Sequence, residues 1–374
     1  MVHFNVNFAS FNSFADITLE LGKTLEAMGI PVSLEPSSIQ PIAWQIFTDL
    51  EKRLLGEWMQ RPPSELFQVK WSHYWKDYLW KQQRGLLNLE FFAINYEFAD
   101  DKGEFDYWIA DAVSNSAHKV AVSRYCQEIL LKAGCPASQV SVIPLGFNPY
   151  LMPTLHRRKP LKSQDQFKYI LHITNSHDVY RFGTDILLRA YCEEFRDNFK
   201  VMLVIKDGGS QASLILNILE DLKKEFGKSM PWFQIKKKLV TKQELANLYL
   251  SADAFIAPFR GEGFAIKVLD ALAAGLPVAI PLYGGPTEYA NAANCYPIAY
   301  NLVPVGECYD TQKLNVQNSP HWAEPTLASV REQLRNIVED PGRGLVAQRA
   351  QETAAEFSWE ATARKLLKLM RQLF

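Results

Sequence analysis

The side chains best placed for chemistry lie in one stretch, Ala254–Tyr289, with the sequence AFIAPFRGEGFAIKVLDALAAGLPVAIPLYGGPTEY. A β-rich run, Ala254–Ala257, ends at Pro258, and the loop Arg260–Gly261–Glu262–Gly263 then opens a helix over 264–274. The two glycines permit backbone angles, or a close ligand approach, that a Cβ would block. A helix start just past Gly263 presents unpaired N–H groups and a partial positive charge, a ready seat for phosphate with Glu262 at its mouth. Asp270 follows eight residues after Glu262, a little over two turns along and on roughly the same side. A carboxylate at each end of such a helix could hold two hydroxyl-rich groups with a diphosphate between them. Gly275 and Pro277 end the helix, and a second glycine loop, Gly284–Gly285–Pro286–Thr287–Glu288, follows the next strand. Taken singly, Glu262 is also a plain helix-start carboxylate favoured by the dipole, and Asp270 a solvated helix residue. Their spacing favours a joint role.

The elements that must position this stretch show as alternating β-rich and helical runs. The first half offers strands at Val2–Phe8, Val32–Leu34, Val69–Trp71, Leu89–Asn95, Val120–Ser123 and Val140–Pro144, with helices near 14–28, 45–60, 103–115 and 124–133. The second half offers Tyr169–Ile173, Val201–Ile205, Lys238–Val240, Ala254–Ala257, Val278–Pro281 and Tyr296–Ala299, with helices near 183–196, 211–226, 242–250, 264–274, 325–338 and 359–373. Such alternation implies α/β domains with parallel sheets covered on both faces, each half doubly wound. Pro149, Pro153 and Pro160 with a basic cluster break both periodicities. The expected domains are therefore 1–150 and 168–357, joined by a linker at 151–167 and followed by a closing helix at 358–374. Two such domains place ligand loops at the carboxyl ends of their strands, around a cleft.

Composition narrows the class. A hydrophobic share of 48% and a charged share of 22% fit folded domains with sizeable cores. The net charge of −1 gives no global basic field and argues against nucleic acid as partner. Residues 1–155 carry a net −5 and the remainder +4, which favours the second half for an anionic ligand. Five cysteines without C-x-x-C spacing point to reduced thiols rather than disulfides or zinc. The start, MVHFNVNFASF, lacks a signal-peptide pattern, and the uncharged run Ala271–Thr287 is broken by glycines and prolines. The expectation is a cytoplasmic chain whose membrane contact, if any, is peripheral.

The segment Glu262-Gly263-Phe264-Ala265 … Asp270-Ala271-Leu272-Ala273-Ala274-Gly275-Leu276-Pro277-Val278, followed by its G-G…E loop, resembles the Glu-x7-Glu signature of retaining GT-B glycosyltransferases of family 4, the glycosyl transferases group 1. Residues 118–148 are similar to that family's ending of the first domain, and 180–191 and 201–209 to the start of its second; much of 36–115 has no clear match. The resemblance implies two Rossmann-like domains facing across a cleft, with the closing helix crossing back onto the first. It implies transfer of a sugar, with retention, from a UDP- or GDP-sugar to a saccharide or lipid-linked acceptor in polysaccharide or glycoconjugate synthesis, without metal or cofactor. Glu262 would contact the sugar hydroxyls and Asp270, one methylene shorter than the usual glutamate, the ribose. The amides of Gly263, Phe264 and Ala265 would meet the diphosphate or sugar, with Lys267 and Glu288 on the same donor side.

The family's basic pair is missing: Ser176 stands at its first place and Phe182, in Tyr180-Arg181-Phe182-Gly183, at its second. A leaving diphosphate builds charge that a cation must stabilise. Lys206 and Arg181 are therefore expected to join Glu262 in catalysis. Arg260 and Lys267 stand behind them, and alone Lys267 reads as a surface lysine. On the acceptor side the resemblance points to Ser10, Asn12, Tyr96 and Glu97, against a capping role for neighbouring Ser13 and a salt bridge for Glu97. His118 reads as structural, and His172 and His177 as flanking a cleft loop without a role of their own. The run 71–84, WSHYWKDYLWKQQR, reads as an amphipathic helix packed through its tryptophans, or as a sugar- or membrane-contacting face. The missing pair also leaves open a non-catalytic GT-B-like scaffold or regulatory subunit. A nicotinamide-binding reading of Gly261-x-Gly263 fails at Ile266, where a third glycine is needed.

Overall fold

A computed structural model describes residues 1–8, 13–39, 46–63, 67–71, 87–95, 116–155, 166–208, 213–237, 239–305 and 321–373. The chain divides into two compact units. One comprises 1–94, 99–146 and 357–374; the other comprises 95–98 and 147–356.

The first unit contains β1 (Val2–Phe8), α1 (Ser13–Ala27), β2 (Val32–Ile39), α2 (Asp49–Gln60), β3 (Phe67–Trp71), β4 (Leu87–Phe92), β5 (His118–Ala121), α3 (Arg124–Lys132) and β6 (Val140–Val142). Its six strands form a parallel sheet in the order β2-β1-β3-β4-β5-β6. Residues 88–92 of β4 are all buried, as a strand covered on both faces requires. Helix starts follow local chemistry. Thr48 and Glu51 form a reciprocal capping box ahead of α2, and Ser123 caps α3.

The second unit contains β7 (Lys168–Thr174), α4 (Thr184–Glu194), β8 (Val201–Asp207), α5 (Ser213–Phe226), β9 (Trp232–Lys236), α6 (Lys242–Ser251), β10 (Ala254–Ile256), α7 (Ile266–Ala273), β11 (Val278–Pro281), β12 (Tyr296–Ile298), β13 (Tyr300–Pro304), β14 (His321–Pro325), α8 (Leu327–Glu339) and α9 (Arg343–Ala354). Its parallel sheet runs β12-β11-β10-β7-β8-β9. The chain winds outward from β7 to β9 and then returns to the other side of β7 to lay down β10, β11 and β12. The winding direction therefore reverses between β7 and β10, where Ala254 pairs with Ile170. Connections leaving two such strands diverge and open a crevice at their carboxyl ends. The core beneath gathers Ile170, Leu187, Leu203, Ile256 and Leu334 from the sheet and its flanking helices.

The last helix, α10 (Trp359–Leu373), returns to the first unit. Trp359, Thr362, Ala363, Leu366, Leu369 and Met370 form its buried stripe, at helical spacing. Its start lies on Gly146, where a Cβ would meet the Trp359 nitrogen at 2.5 Å, and Thr362 donates to the Pro144 carbonyl at 2.8 Å.

Several elements differ from the sequence expectation. The strand expected at Lys238–Val240 is β9, six residues earlier. Residues 149–154 of the Pro-rich segment form a short 3-10 helix within the second unit, so the boundary falls at 146/147. The antiparallel pair β13–β14 and helix α9 carry no clear local signal in the sequence. The helix expected at 103–115 and residues 72–84 of the aromatic run lie outside the described residues.

Candidate active site

The two loops that leave the switch point carry the chemistry. The first runs from Thr174 at the end of β7 to Gly183; the second runs from Ala257 after β10 to Ala265. Their backbones touch. The Arg260 N–H donates to the Arg181 carbonyl at 2.7 Å, and a Cβ on Gly183 would stand 1.8 Å from the Pro258 carbonyl oxygen. Gly183 also adopts φ +66°, left-handed backbone that a side chain disfavours. The later glycine loop closes on the same place. Gly285 donates to the Glu262 carbonyl at 2.7 Å, and a Cβ on Gly285 would collide with the Gly263 carbonyl at 1.8 Å.

Held this way, the Glu262 side chain is 10% exposed and faces two cations. Lys267 Nζ lies 2.7 Å from Glu262 Oε1, at angles outside hydrogen-bond geometry, and Arg181 Nη1 lies 3.5 Å from the same oxygen. Arg181 is steadied by Asp178, to which its Nε donates, and by the Gly261 carbonyl at 3.2 Å. The Phe182 ring lies beneath both cations, with Arg181 Cζ 4.2 Å and Lys267 Nζ 3.5 Å from its centre. Burial alone would raise the Glu262 carboxyl, but the charges of Lys267 and Arg181 outweigh it and hold the group below its usual range. Burial pulls the Lys267 ammonium down to about 8 against the opposing pull of Glu262. The reading of Lys267 as a surface lysine is thereby corrected: its side chain is only 13% exposed.

The helix beyond this loop begins later than expected. α7 starts at Ile266, and Ala265 ahead of it takes φ +58°, left-handed backbone in a residue with a Cβ. Phe264 and Ala265 are buried, their carbonyls receiving the Tyr289 hydroxyl at 2.7 and 2.8 Å. Gly263 donates its N–H to the Asn95 side chain at 3.2 Å. Asp270, also buried, accepts the Asn148 N–H at 2.7 Å and so anchors the start of the second unit to α7. Glu288 is half-buried on the short 3-10 helix Gly285–Glu288.

The structure thus brings Glu262, Arg181 and Lys267 together and does not bring Lys206 to them. Lys206 sits at the end of β8, where its ammonium donates to the Asp207 carbonyl at 2.8 Å; burial lowers it, with Asp207 opposing. Arg260 is also engaged elsewhere, held by Asp185 at 2.8 and 2.9 Å and by Glu324 at 2.7 Å, over the Trp322 ring. It ties the hairpin β13–β14 to α4. His172 lies within β7 and is fully buried between the Ile256 carbonyl and the Thr184 hydroxyl. Ser10, Asn12, Tyr96 and Glu97 lie outside the described residues. Among the described residues, no group of three or more His, Cys, Asp or Glu side chains could hold a metal ion, and no helix is long and apolar enough to cross a membrane.

Sequence reasoning missed Asp178, Phe182 and Tyr289 as parts of the site. The three-residue spacing of Asp178 and Arg181 was a usable signal. Nothing local linked Phe182 to Lys267, which lies 85 positions away in sequence.

Residues 168–305 match the family described as Glycosyl transferases group 1. A D-inositol 3-phosphate glycosyltransferase of Corynebacterium urealyticum is 30% identical over 195 residues, 51% of this chain and 40% of that protein. The chain therefore spans less than half the length of that curated relative. Among solved structures, a glycosyltransferase of Rickettsia africae superposes with a TM-score of 0.66 at 15% identity, covering 99% of this chain and 98% of that one. HepE of Anabaena, solved with UDP and glucose, superposes with a TM-score of 0.62 at 12% identity over the whole of both chains. The fold, two parallel six-stranded sheets flanked by helices, is that of GT-B glycosyltransferases.

Proposed function

We propose that this chain transfers a sugar from a nucleotide diphosphate sugar to an acceptor, a reading supported by the match of residues 168–305 to the family described as Glycosyl transferases group 1. The observation that carries the reading is the buried Glu262 carboxylate, held where winding reverses between β7 and β10 and flanked by two cations. A carboxylate there accepts hydrogen bonds from hydroxyls of the donor sugar, and a cation beside it meets the charge that grows on the leaving diphosphate. UDP is the first donor nucleotide to test, since HepE of Anabaena binds it; GDP is the second.

Transfer with retention needs no protein nucleophile in this reading. The bond from the anomeric carbon to the diphosphate oxygen breaks as the acceptor hydroxyl attacks on the same face. The departing phosphate oxygen takes the hydroxyl's proton. Glu262 holds the sugar, Arg181 stabilises the leaving group, and Asp270 is assigned to the ribose while its Oδ1 anchors Asn148. The acceptor in this reading is a saccharide or a lipid-linked acceptor.

The test is a thermal-shift screen of the chain against UDP- and GDP-sugars, followed by nucleotide release from the donor that stabilises it. Glu262→Gln should lower release by at least about 100-fold while the fold persists. Wild-type turnover in that variant refutes the assignment. A chain that binds no nucleotide at all is instead the non-catalytic GT-B-like scaffold.

A further inference from the structure

We propose that Lys267 is the second diphosphate-binding cation of this chain, standing in for the base that position 182 lacks, with the Phe182 ring as the platform that sets its ammonium beside Arg181. This assignment rests on the glycosyltransferase reading and concerns how the donor is held.

Three independent observations carry it. The first is placement. Lys267 lies in the first turn of α7, yet its ammonium turns toward the loop after β7 and stands 3.5 Å from the centre of the Phe182 ring. The charge that a base at 182 would bring is thus supplied from another element, over the face of the Phe182 ring. The aromatic face holds the ammonium in addition to its ion pair with Glu262.

The second is unmet bonding. Lys267 Nζ, Glu262 Oε1, Asp178 Oδ1 and Ser176 Oγ are all buried atoms without a hydrogen bond of good geometry. Ser176 and Asp178 belong to the loop after β7, Glu262 to the loop after β10, and Lys267 to the helix that this second loop opens. Buried polar atoms rarely go unpaired, and a group of them on facing loops marks where a polar ligand completes the bonding.

The third is electrostatic. Arg181 and Lys267 both approach Glu262 Oε1, at 3.5 and 2.7 Å, so two like charges share one oxygen. Asp178 balances Arg181, so the Lys267 ammonium, facing a single Glu262 oxygen, is the charge that a diphosphate can draw over. Donor binding then lets Glu262 turn its oxygens to sugar hydroxyls while Lys267 passes to the phosphate. Lys206 and Arg260 are not available for this, because each already has its partners.

The experiment compares affinity for UDP, GDP, UMP and GMP by titration calorimetry in the wild type, Lys267→Met, and the double variant Phe182→Lys/Lys267→Met. Circular dichroism checks that each is folded at the assay temperature. The loss of one charged contact is expected to weaken diphosphate binding about 10- to 100-fold in Lys267→Met and to leave the monophosphate nearly unchanged. Returning the lysine to position 182 should restore most of the diphosphate affinity. A folded Lys267→Met that keeps wild-type preference for diphosphate over monophosphate overturns the proposal. So does a folded double variant that binds diphosphate no better than the single one. A wild type that binds none of the four nucleotides refutes the parent reading instead, so the two failures are distinct.

Discussion

A Cβ placed on Gly183 would lie 1.8 Å from the carbonyl oxygen of Pro258, so the backbones of the two switch-point loops meet at a distance only glycine allows. That contact brings Arg181 and Glu262 within ion-pair reach, although they lie on different connections. Gly183→Ala must adopt strained left-handed backbone and displace the Pro258 carbonyl as well. We predict a loss of about 2–4 kcal/mol in denaturant unfolding, and nucleotide affinity reduced in whatever fraction remains folded. A variant as stable as the wild type would show that the two loops can separate without cost.

Ala265 carries the opposite burden, a side chain at φ +58° where glycine would be unstrained. Glycine there removes about 1 kcal/mol of backbone strain and gives up a buried methyl of similar worth. Ala265→Gly should therefore unfold within about 1 kcal/mol of the wild type, whereas Ala265→Val should lose more than about 2 kcal/mol. Chemical denaturation of both variants decides it, and equal stabilities would contradict the strain.

The pair Glu262–Lys267 should show strong coupling. Removing either partner leaves a charge in a poorly solvated place, an effect tempered for Glu262 by Arg181. Each of Glu262→Gln and Lys267→Met should cost about 1–3 kcal/mol, and the double variant less than their sum by at least about 1 kcal/mol. Unfolding of the four proteins in one buffer measures this. Simple additivity would mean that the pair is solvated.

His172 predicts the acid side of the stability curve. Burial pushes its pKa down from 6.5 to about 3, with the hydrogen bond to the Ile256 carbonyl opposing. Between those values the unfolded chain binds a proton that the native chain refuses. The contribution is thus fully present above pH 6.5 and is lost as pH falls toward 3, by up to about 1.4 kcal/mol per pH unit. Other groups titrate there too, so the difference between the wild type and His172→Gln isolates it: stability of the variant should fall less steeply from pH 6.5 to 4. Parallel curves would show that His172 is protonated in the native state.

Some of this molecule is readable from its residues in order. The alternation of strands and helices shows because burial on both faces gives strands such as Leu87–Phe92 continuous apolar runs, and helices such as Trp359–Leu373 a regular stripe. Glu262 stands out because loop glycines are a local signal, felt within a few residues. The hairpin β13–β14, with three of five residues of β13 exposed, has no such pattern to offer.

Which of the candidate cations turns to Glu262 is decided by the tertiary structure. Sequence order favours Lys206, at the end of a buried strand, and makes Lys267 a surface residue. Strand order decides otherwise. β10 lies directly beside β7, so the loop after β7 faces the start of α7, while Lys206 is carried one strand away on β8. Arg260, beside Glu262 in sequence, is drawn instead to Asp185 and Glu324. Residue type and spacing determine that a carboxylate waits at a glycine loop. Lys267 reaches it from five residues on, whereas Arg181 reaches it from some 80 residues away, a contact that exists only once β7 and β10 are neighbours.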